Sequence, residues 1–151
     1  PCIAKKVEAR EHRETINYVL SFEEIMCMLE GKDIKFAEMS GDAAYERDAS
    51  KLGLSFPLTA GVSAAVQDTV AAMGGEVHNA QYCSGLDKCR DTVKAAAAGK
   101  LDCSYIEGMA CPNGCIDGPD TVGDFHITKV ALTKYAAAAP NKQAAQDKHT
   151  K

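Results

Sequence analysis

The sequence predicts an α/β domain in which a parallel sheet of about four strands is flanked by helices. Three observations predict this fold: short β-favouring runs alternate with helical segments, the connections between them are short, and glycines or capping residues mark helix ends. Strands that alternate with helices through short loops form a parallel sheet covered by helices. In such sheets, ligands bind at the carboxyl ends of the strands.

The first strand and helix are predicted near the start of the chain. Residues 16–20, Ile-Asn-Tyr-Val-Leu, form an apolar run of strand-favouring residues. The helix that follows spans Phe22–Glu30, because Ser21 and Glu24 have the spacing of a capping box and Gly31 can end the helix. A strand that leads directly into a helix begins the predicted alternation.

The middle of the chain supplies weaker elements and then a second helix. Residues 34–36 predict a weak extended segment, and residues 41–54, which are charged and contain Gly and Asp, predict a loop. A helix then runs from residue 61 or 62 to residue 73, where Gly74-Gly75 ends it.

Two strands and a third helix complete the predicted sheet. Residues 77–82 and 103–106 predict strands, and residues 86–98 between them predict a helix that Gly99 closes. The last strand runs directly into Met-Ala-Cys at 109–111. These residues are therefore predicted at the carboxyl edge of the sheet.

The chain has 151 residues. Residues 1–134 are predicted to form one lobe, and the Ala-rich residues 135–151 are predicted to form a frayed helix or disordered tail.

Composition argues against two classes of partner. The net charge of −4 gives no electrostatic footprint for nucleic acid or anionic lipid. No apolar stretch reaches the length of about 18 residues that a membrane span needs. Neither nucleic acid nor membrane is predicted as a partner.

The cysteines indicate a compartment. Seven cysteines at irregular spacing, in a chain too large to need disulfide staples, indicate a reducing interior, and the predicted location is cytoplasmic. The chain opens on Pro1-Cys2, and a functional cysteine so close to a terminus would be poorly held. We therefore expect the chain to be a fragment of a longer polypeptide.

Cys111 and Cys115 form a Cys-x-x-x-Cys pair that is predicted to lie in a loop. Pro112 and Gly114 interrupt it, and neither residue favours a helix interior. Soft thiolates in glycine-bearing loops suit iron-sulfur clusters. A zinc site is the alternative, but it favours Cys-x-x-Cys and needs a second pair of ligands. No histidine has a suitable spacing with Cys83 or Cys89, and iron is therefore favoured.

Two segments resemble cluster-binding motifs of the iron-only (di-iron) hydrogenases. Residues 1–8, Pro-Cys-Ile-Ala-Lys-Lys-Val-Glu, resemble the second motif, Met-Pro-Cys-x-x-Lys-x-x-Glu, without its leading Met. Residues 107–115, Glu-Gly-Met-Ala-Cys-Pro-Asn-Gly-Cys, resemble the third motif, Glu-x-Met-Ala-Cys-x-x-Gly-Cys. A weaker similarity joins residues 56–62 to the family's Phe-Gly-x-Thr-Gly-Gly-Val stretch. The resemblance covers most of residues 1–119 and implies one lobe of the domain that binds the H-cluster.

The resemblance implies a metal site and its ligands. The family's H-cluster joins a 4Fe-4S cubane to a di-iron subcluster that carries carbon monoxide, cyanide and a dithiolate. By this resemblance, Cys2 and Cys111 would hold the cubane, and Cys115 would bridge it to the di-iron unit. Lys5 would donate a hydrogen bond to a cyanide ligand, and Glu8 would orient Lys5 or cap the loop.

Two further residues are predicted to contact the cofactor. The family's counterpart of Met109 lies against the di-iron unit, so Met109 is predicted at the catalytic site together with Lys5 and Glu8. Ordinary packing is the alternative for Met109. Phe56 is predicted as a wall of the cofactor pocket, and a core position is its alternative.

The implied activity is the reversible splitting of dihydrogen into protons and electrons. The implied partners are the N-terminal remainder of the hydrogenase, a ferredoxin-type electron carrier, dihydrogen and protons. The family's Thr-Ser-Cys-Cys-Pro motif, which supplies the fourth cubane ligand, is absent here. We therefore expect the isolated chain to fold without metal, to carry no complete cluster and to be inactive.

Departures from the family pattern leave alternatives open. Pro57 replaces a glycine, and Gly118-Pro119-Asp120 replaces the usual Gly-Gly-Gly-Gln-Pro, as in the divergent sensory branch rather than the catalytic one. The alternatives are a dihydrogen-sensing regulatory protein, an iron-sulfur scaffold or assembly protein, and a plain α/β interaction domain. Lys5 favours a hydrogenase over a scaffold, because an ordinary cubane has no cyanide to bind.

Four cysteines match no ligand position of the family. Cys27 is predicted in the core, on the apolar face of the first helix, and Cys103 is predicted buried in a strand. Cys83 and Cys89 flank the start of the third helix, where a helix N-terminus can lower a thiol pKa, although structural filling is the commoner role.

Overall fold

The computed structural model describes residues 2–40 and 49–143. This part of the chain contains six α-helices, two short 3-10 helices and a parallel sheet of two strands. The predicted α/β class is confirmed, whereas a sheet of four strands is not found among the described residues. The chain divides into two compact units, one comprising residues 1–46 and 118–123 and the other comprising residues 47–117 and 124–151.

The first unit contains two α-helices, α1 at Ile3–Glu11 and α2 at Phe22–Glu30, and a 3-10 helix at Phe36–Glu38. The predicted bounds of α2 are confirmed. Its capping box is present as well: the Glu24 N–H donates to Ser21 Oγ at 3.2 Å, and the Ser21 N–H donates to the Glu24 carboxylate at 2.7 Å.

The strand predicted over residues 16–20 is wrong. These residues have no ladder partner among the described residues, and the Val19 carbonyl instead accepts a hydrogen bond from Lys6 Nζ at 3.0 Å. A run of β-favouring residues forms a strand only where a neighbouring strand pairs with its backbone. The weak extended segment at 34–36 is likewise not a strand, and its end enters the 3-10 helix.

The second unit contains the sheet and the other four α-helices. Its elements, in chain order, are α3 Lys51–Leu54, α4 Gly61–Ala72, β1 Gln81–Ser84, α5 Leu86–Ala97, β2 Ile106–Met109, the 3-10 helix Cys115–Asp117, and α6 Phe125–Ala137. The predicted helices α4 and α5 are confirmed. The prediction of a loop over 41–54 is wrong at its end, because Ser50 Oγ accepts the Gly53 N–H and caps α3; residues 41–48 lie outside the described part.

The two strands begin four and three residues later than predicted. They are parallel, with Gln81 opposite Ile106 and Ser84 opposite Met109. Asn79 has a φ of 46°, a turn conformation that extended pairing cannot include, so the first strand begins only after it. The later register brings the end of β2 to Met109, directly before Ala110 and Cys111.

Helix α6 was not predicted. Its N-terminus is capped by Asp124, whose carboxylate accepts the N–H groups of His126 and Ile127 at 2.9 and 3.1 Å. The helix ends at Ala137, and residues 144–151 of the predicted tail lie outside the described part. Among the described residues, no helix is long and apolar enough to cross a membrane.

Candidate functional site

Cys111 opens a turn that follows β2, and Cys115 comes directly after that turn, at the start of the 3-10 helix Cys115–Asp117. The Gly114 N–H donates to the Cys111 carbonyl at 3.2 Å, which closes a four-residue turn. Pro112 occupies the second position of this turn, and Asn113 occupies the third with a φ of 63°. Proline followed by a residue of positive φ is typical of a type II turn. The loop predicted from Pro112 and Gly114 is therefore confirmed.

Position 114 needs a glycine, because the backbone of residues 57–58 passes close to it. Its φ is 93°, and a Cβ atom placed on it would lie 2.5 Å from the Pro57 carbonyl oxygen. Leu58 and Gly114 form an isolated antiparallel bridge, and the Cys115 N–H donates to the Pro57 carbonyl at 2.8 Å. The backbone of residues 57–58 thus holds Gly114 in this turn and Cys115 directly after it.

Glu107 fixes the same segment from the strand. Its side chain is only 5% exposed, and its two oxygens accept the backbone N–H groups of Ala60 and Ser63 at 2.9 and 2.6 Å. Ala60 immediately precedes α4 and has a φ of 67°, and Ser63 lies in the first turn of that helix. A carboxylate at a helix N-terminus satisfies backbone donors that lack intrahelical partners and complements the helix dipole. Glu107 therefore ties the start of α4 to β2.

The role of Glu107 was missed from the sequence, where the residue matches the family motif without an assigned function. The relevant feature is a lone charged residue within the otherwise apolar Ile-Glu-Gly-Met strand, because a buried charge needs a dedicated partner.

The donor atoms of the turn suit iron. Cys115 is exposed and Cys111 is half-buried, so both lie where a bound group can be reached. Thiolates are the ligands that iron-sulfur clusters use. Thr59 Oγ1 is buried and has no hydrogen-bond partner among the described residues. Such an orphaned hydroxyl, one residue from the bridge at Leu58, can be satisfied by a group that this chain does not contain.

Met109 and Phe56 have different surroundings. Met109 is 8% exposed at the end of β2, and its carbonyl accepts the Gly85 N–H at 2.9 Å. Phe56 is 44% exposed and precedes the segment that holds the turn. Both predicted contacts with a cofactor stay predictions.

The early motif lies in the first unit, at the start of α1. Cys2 is half-buried and occupies the position before the helix, with its carbonyl accepting the Lys6 N–H at 3.2 Å. Lys5 and Glu8 form an ion pair one turn apart, with side chains 60% and 42% exposed. Hydrogen bonding to Glu8 raises the pKa of Lys5, and the same contact lowers the pKa of Glu8. The Lys5 ammonium is therefore paired with the Glu8 carboxylate in this structure.

The remaining cysteines agree only in part with the predictions. Cys27 is exposed, and its predicted core position is wrong. No residue of α2 is buried. Cys103 precedes β2 and is half-buried rather than lying in a strand. For Cys83, which is buried, structural filling is confirmed. Burial raises the pKa of Cys89, so the alternative of a lowered pKa from the helix N-terminus is wrong for that thiol.

Two cysteine sulfurs lie together where none was predicted to do so. Cys83 Sγ and Cys89 Sγ are 3.4 Å apart, across the turn from β1 into α5. Their spacing across a predicted strand and helix start was the only sign of this in the sequence. Within residues 2–40 and 49–143, no three His, Cys, Asp or Glu side chains are grouped so that they could hold a metal ion.

Comparison with known proteins supports the motif interpretation. The family described as the C-terminal domain of the iron only hydrogenase large subunit matches residues 1–119. No curated protein matches the chain significantly. The matched range includes both cysteine motifs, the segment at 56–62 and the β1–α5–β2 unit. The chain belongs to this family of iron-only hydrogenase C-terminal domains.

Proposed function

We propose that this chain is the part of an iron-only hydrogenase that supplies three sulfur ligands of the H-cluster. The observation that carries the proposal is the turn at Cys111–Cys115. The Pro57 carbonyl accepts the Cys115 N–H, and the Glu107 carboxylate holds Ala60 and Ser63, which follow Pro57 in the chain. A loop whose shape is set before metal binds spends little free energy on ordering when it does.

The cysteines have separate tasks in this proposal. Cys111 and Cys2 would hold a 4Fe-4S cubane, and Cys115 would join it to the di-iron subcluster. When bound, that cofactor supplies the chemistry of reversible dihydrogen splitting. Three cysteines leave one cubane position open, and the Thr-Ser-Cys-Cys-Pro motif is absent from these 151 residues. The fourth ligand would therefore come from the remainder of the hydrogenase.

Lys5 would donate a hydrogen bond to an anionic ligand of the cofactor. The side chain is an ammonium at neutral pH, and its contact with Glu8 raises its pKa further. An ammonium donates strong hydrogen bonds to anionic acceptors such as metal-bound cyanide. Lys5 is exposed and could exchange Glu8 for such an acceptor, while Met109 and Phe56 would shape the pocket.

The wider setting follows from the proposed reaction. Electrons from dihydrogen need a one-electron carrier, and a ferredoxin-type protein is the proposed partner. The proposed location is cytoplasmic, where thiols stay reduced. The replacements at Pro57 and at 118–120 favour a parent that senses dihydrogen over one that turns it over quickly.

Infrared spectroscopy tests the proposal. The chain is produced with a segment carrying Thr-Ser-Cys-Cys-Pro and with the hydrogenase maturation machinery, and its iron content is measured on the same sample. A hydrogenase shows bands of metal-bound carbon monoxide and cyanide. These bands should vanish in Cys115→Ser and persist in Cys27→Ser, which alters an exposed cysteine outside the motifs.

Two results would contradict the proposal. Iron that is bound without carbonyl or cyanide bands would assign the chain to an iron-sulfur scaffold. A folded chain that retains no iron would assign it to a plain α/β interaction domain.

A further inference from the structure

Cys83 and Cys89 form a close thiol pair that the proposed cluster does not use. Their sulfurs are 3.4 Å apart, and a disulfide bond is about 2.0 Å long. Cys83 is the last but one residue of β1, and Cys89 lies in the first turns of α5, so Gly85 and the start of the helix bring them together. Only a small movement of the side chains separates this pair from covalent contact.

The surroundings of the pair are specific. The Cys83 thiol contacts the Glu107 carbonyl at 3.4 Å, and the Cys89 thiol contacts the Met109 carbonyl at 3.3 Å. Gly108 lies between those two carbonyls, and a Cβ on it would come within 3.5 Å of Cys89 Sγ. Both thiols therefore lie against the backbone of β2, two residues before Cys111.

We propose that Cys83 and Cys89 are a reversible dithiol–disulfide site that takes low-molecular-weight disulfides such as oxidised glutathione. This inference goes beyond the proposed hydrogenase function and does not rest on it, because neither cysteine matches a cluster ligand. The observation that carries it is the contact of the two sulfurs at 3.4 Å.

The reaction balances through two exchanges. The thiolate of Cys89, the less buried of the two, attacks one sulfur of oxidised glutathione and releases one glutathione thiolate. The thiolate of Cys83 then attacks the Cys89 sulfur of the mixed disulfide and releases the second glutathione. The protein loses two electrons and two protons and gains one S–S bond, and oxidised glutathione becomes two glutathione molecules.

Oxidation would alter the strand that leads to the cluster loop. The dithiol can donate weak hydrogen bonds to the carbonyls of Glu107 and Met109, and a disulfide has no proton to donate. The Met109 carbonyl would keep only its bond from the Gly85 N–H. Oxidation of the pair would therefore change the hydrogen bonding of two carbonyl groups in β2.

Tryptic mapping tests the proposal on the reduced, metal-free chain. Trypsin cleaves after Lys88, so Cys83 falls in the peptide 52–88 and Cys89 in the dipeptide 89–90. After incubation with oxidised glutathione and alkylation of free thiols, a disulfide joins these two peptides with a loss of two hydrogens. We expect this link to exceed every other protein disulfide by about tenfold, because the two sulfurs are already adjacent. Dithiothreitol should restore both thiols.

Matched variants sharpen the result. Cys103→Ser, which removes a half-buried thiol elsewhere in the same unit, should leave the link unchanged, and Cys89→Ser should abolish it. Glutathione adducts on Cys83 or Cys89 of the wild-type chain without the link between 52–88 and 89–90 would overturn the proposal. So would a link no more abundant than random pairing among the seven cysteines. Neither failure touches the hydrogenase proposal, whose infrared bands depend on other cysteines.

Discussion

The two family motifs of this chain are held in different ways. The late motif is held by residues distant in sequence: the Pro57 carbonyl accepts the Cys115 N–H, and Glu107 at the start of the motif binds the N–H groups of Ala60 and Ser63. In the segment from Cys2 to Glu8, the motif residues Lys5 and Glu8 form an exposed ion pair within α1. Lys6, which is not a motif residue, donates to the Val19 carbonyl at 3.0 Å and pairs with Glu24. The late motif is therefore tied to a distant part of its unit by its own backbone and by Glu107, whereas the motif side chains Lys5 and Glu8 lie on the surface of a helix.

This difference predicts how mutations will divide. Changes that break the contacts of the late motif should lower the stability of the second unit, because they leave buried polar groups without hydrogen-bond partners. Changes in the early motif should leave stability nearly unaffected, because exposed ion pairs contribute little. Any functional loss at the early motif would then report the cofactor rather than the fold.

Glu107→Ala should have the largest effect. It leaves the buried N–H groups of Ala60 and Ser63 without their acceptor, at a cost of about 4 kcal/mol in the free energy of unfolding. Urea denaturation followed by circular dichroism measures the change. Glu76→Ala, which truncates an exposed glutamate, should change the midpoint little. Equal effects of the two substitutions would show that Glu107 does not anchor α4.

Gly114→Ala should follow. The new Cβ would lie 2.5 Å from the Pro57 carbonyl oxygen at a φ of 93°, and the strain should cost about 3 kcal/mol. Gly99→Ala is the matched control, because Gly99 also has a positive φ of 68° but nothing lies within 4 Å of its Cβ position. We expect the control to cost about 1 kcal/mol. A loss for Gly114→Ala no larger than for Gly99→Ala would mean that the bridge at Leu58 does not constrain the turn.

Lys5→Met should separate stability from function. The Lys5–Glu8 pair is exposed, so the urea midpoint should not change measurably. In the matured protein, however, the cyanide bands should shift if Lys5 is the proposed charged donor to cyanide. Lys32→Met, at an exposed lysine outside the motifs, should change neither quantity. A lower urea midpoint with unshifted cyanide bands would show that Lys5 stabilises the fold and does not bind cyanide.

Protonation of Glu24 should give the smallest effect. Hydrogen bonding to Lys6 and to the Ser21 N–H lowers the pKa of Glu24. Because this folded-state pKa lies below the unfolded value, the contribution of the capping box is complete above the unfolded pKa and is lost as pH falls through the folded pKa. Nuclear magnetic resonance of the Ser21 amide should report a titration midpoint below that of an ordinary glutamate. Glu24→Gln should abolish the transition, and a midpoint at or above the ordinary value would contradict the assignment.

Local sequence rules gave the bounds of α2, α4 and α5 closely, but they did not predict α1, α3 and α6. The capping box at Ser21 and Glu24 acts within four residues, and α2 has the predicted bounds. Strand pairing depends on residues elsewhere in the chain, and this is why residues 16–20 form no strand and why β1 begins only after the turn at Asn79. The α/β class followed from the order of elements, whereas the number and register of strands did not.

The candidate site was predictable in its ligands but not in its supports. Proline and glycine between Cys111 and Cys115 predict a loop, because both act on their own backbone. The bond from Cys115 to Pro57 and the contact of Cys83 with Cys89 join residues whose proximity depends on the tertiary fold. No local pattern encodes such contacts.

The central claim is that the cysteines of both motifs hold one iron-sulfur core. Counting iron and inorganic sulfide in the matured protein, for wild type and for Cys2→Ser, Cys111→Ser and Cys27→Ser, tests it most directly. We expect Cys2→Ser and Cys111→Ser each to lose most of both elements, and Cys27→Ser to retain them. If Cys2→Ser keeps the full wild-type content of iron and sulfide, the early motif does not bind the core and the claim is wrong.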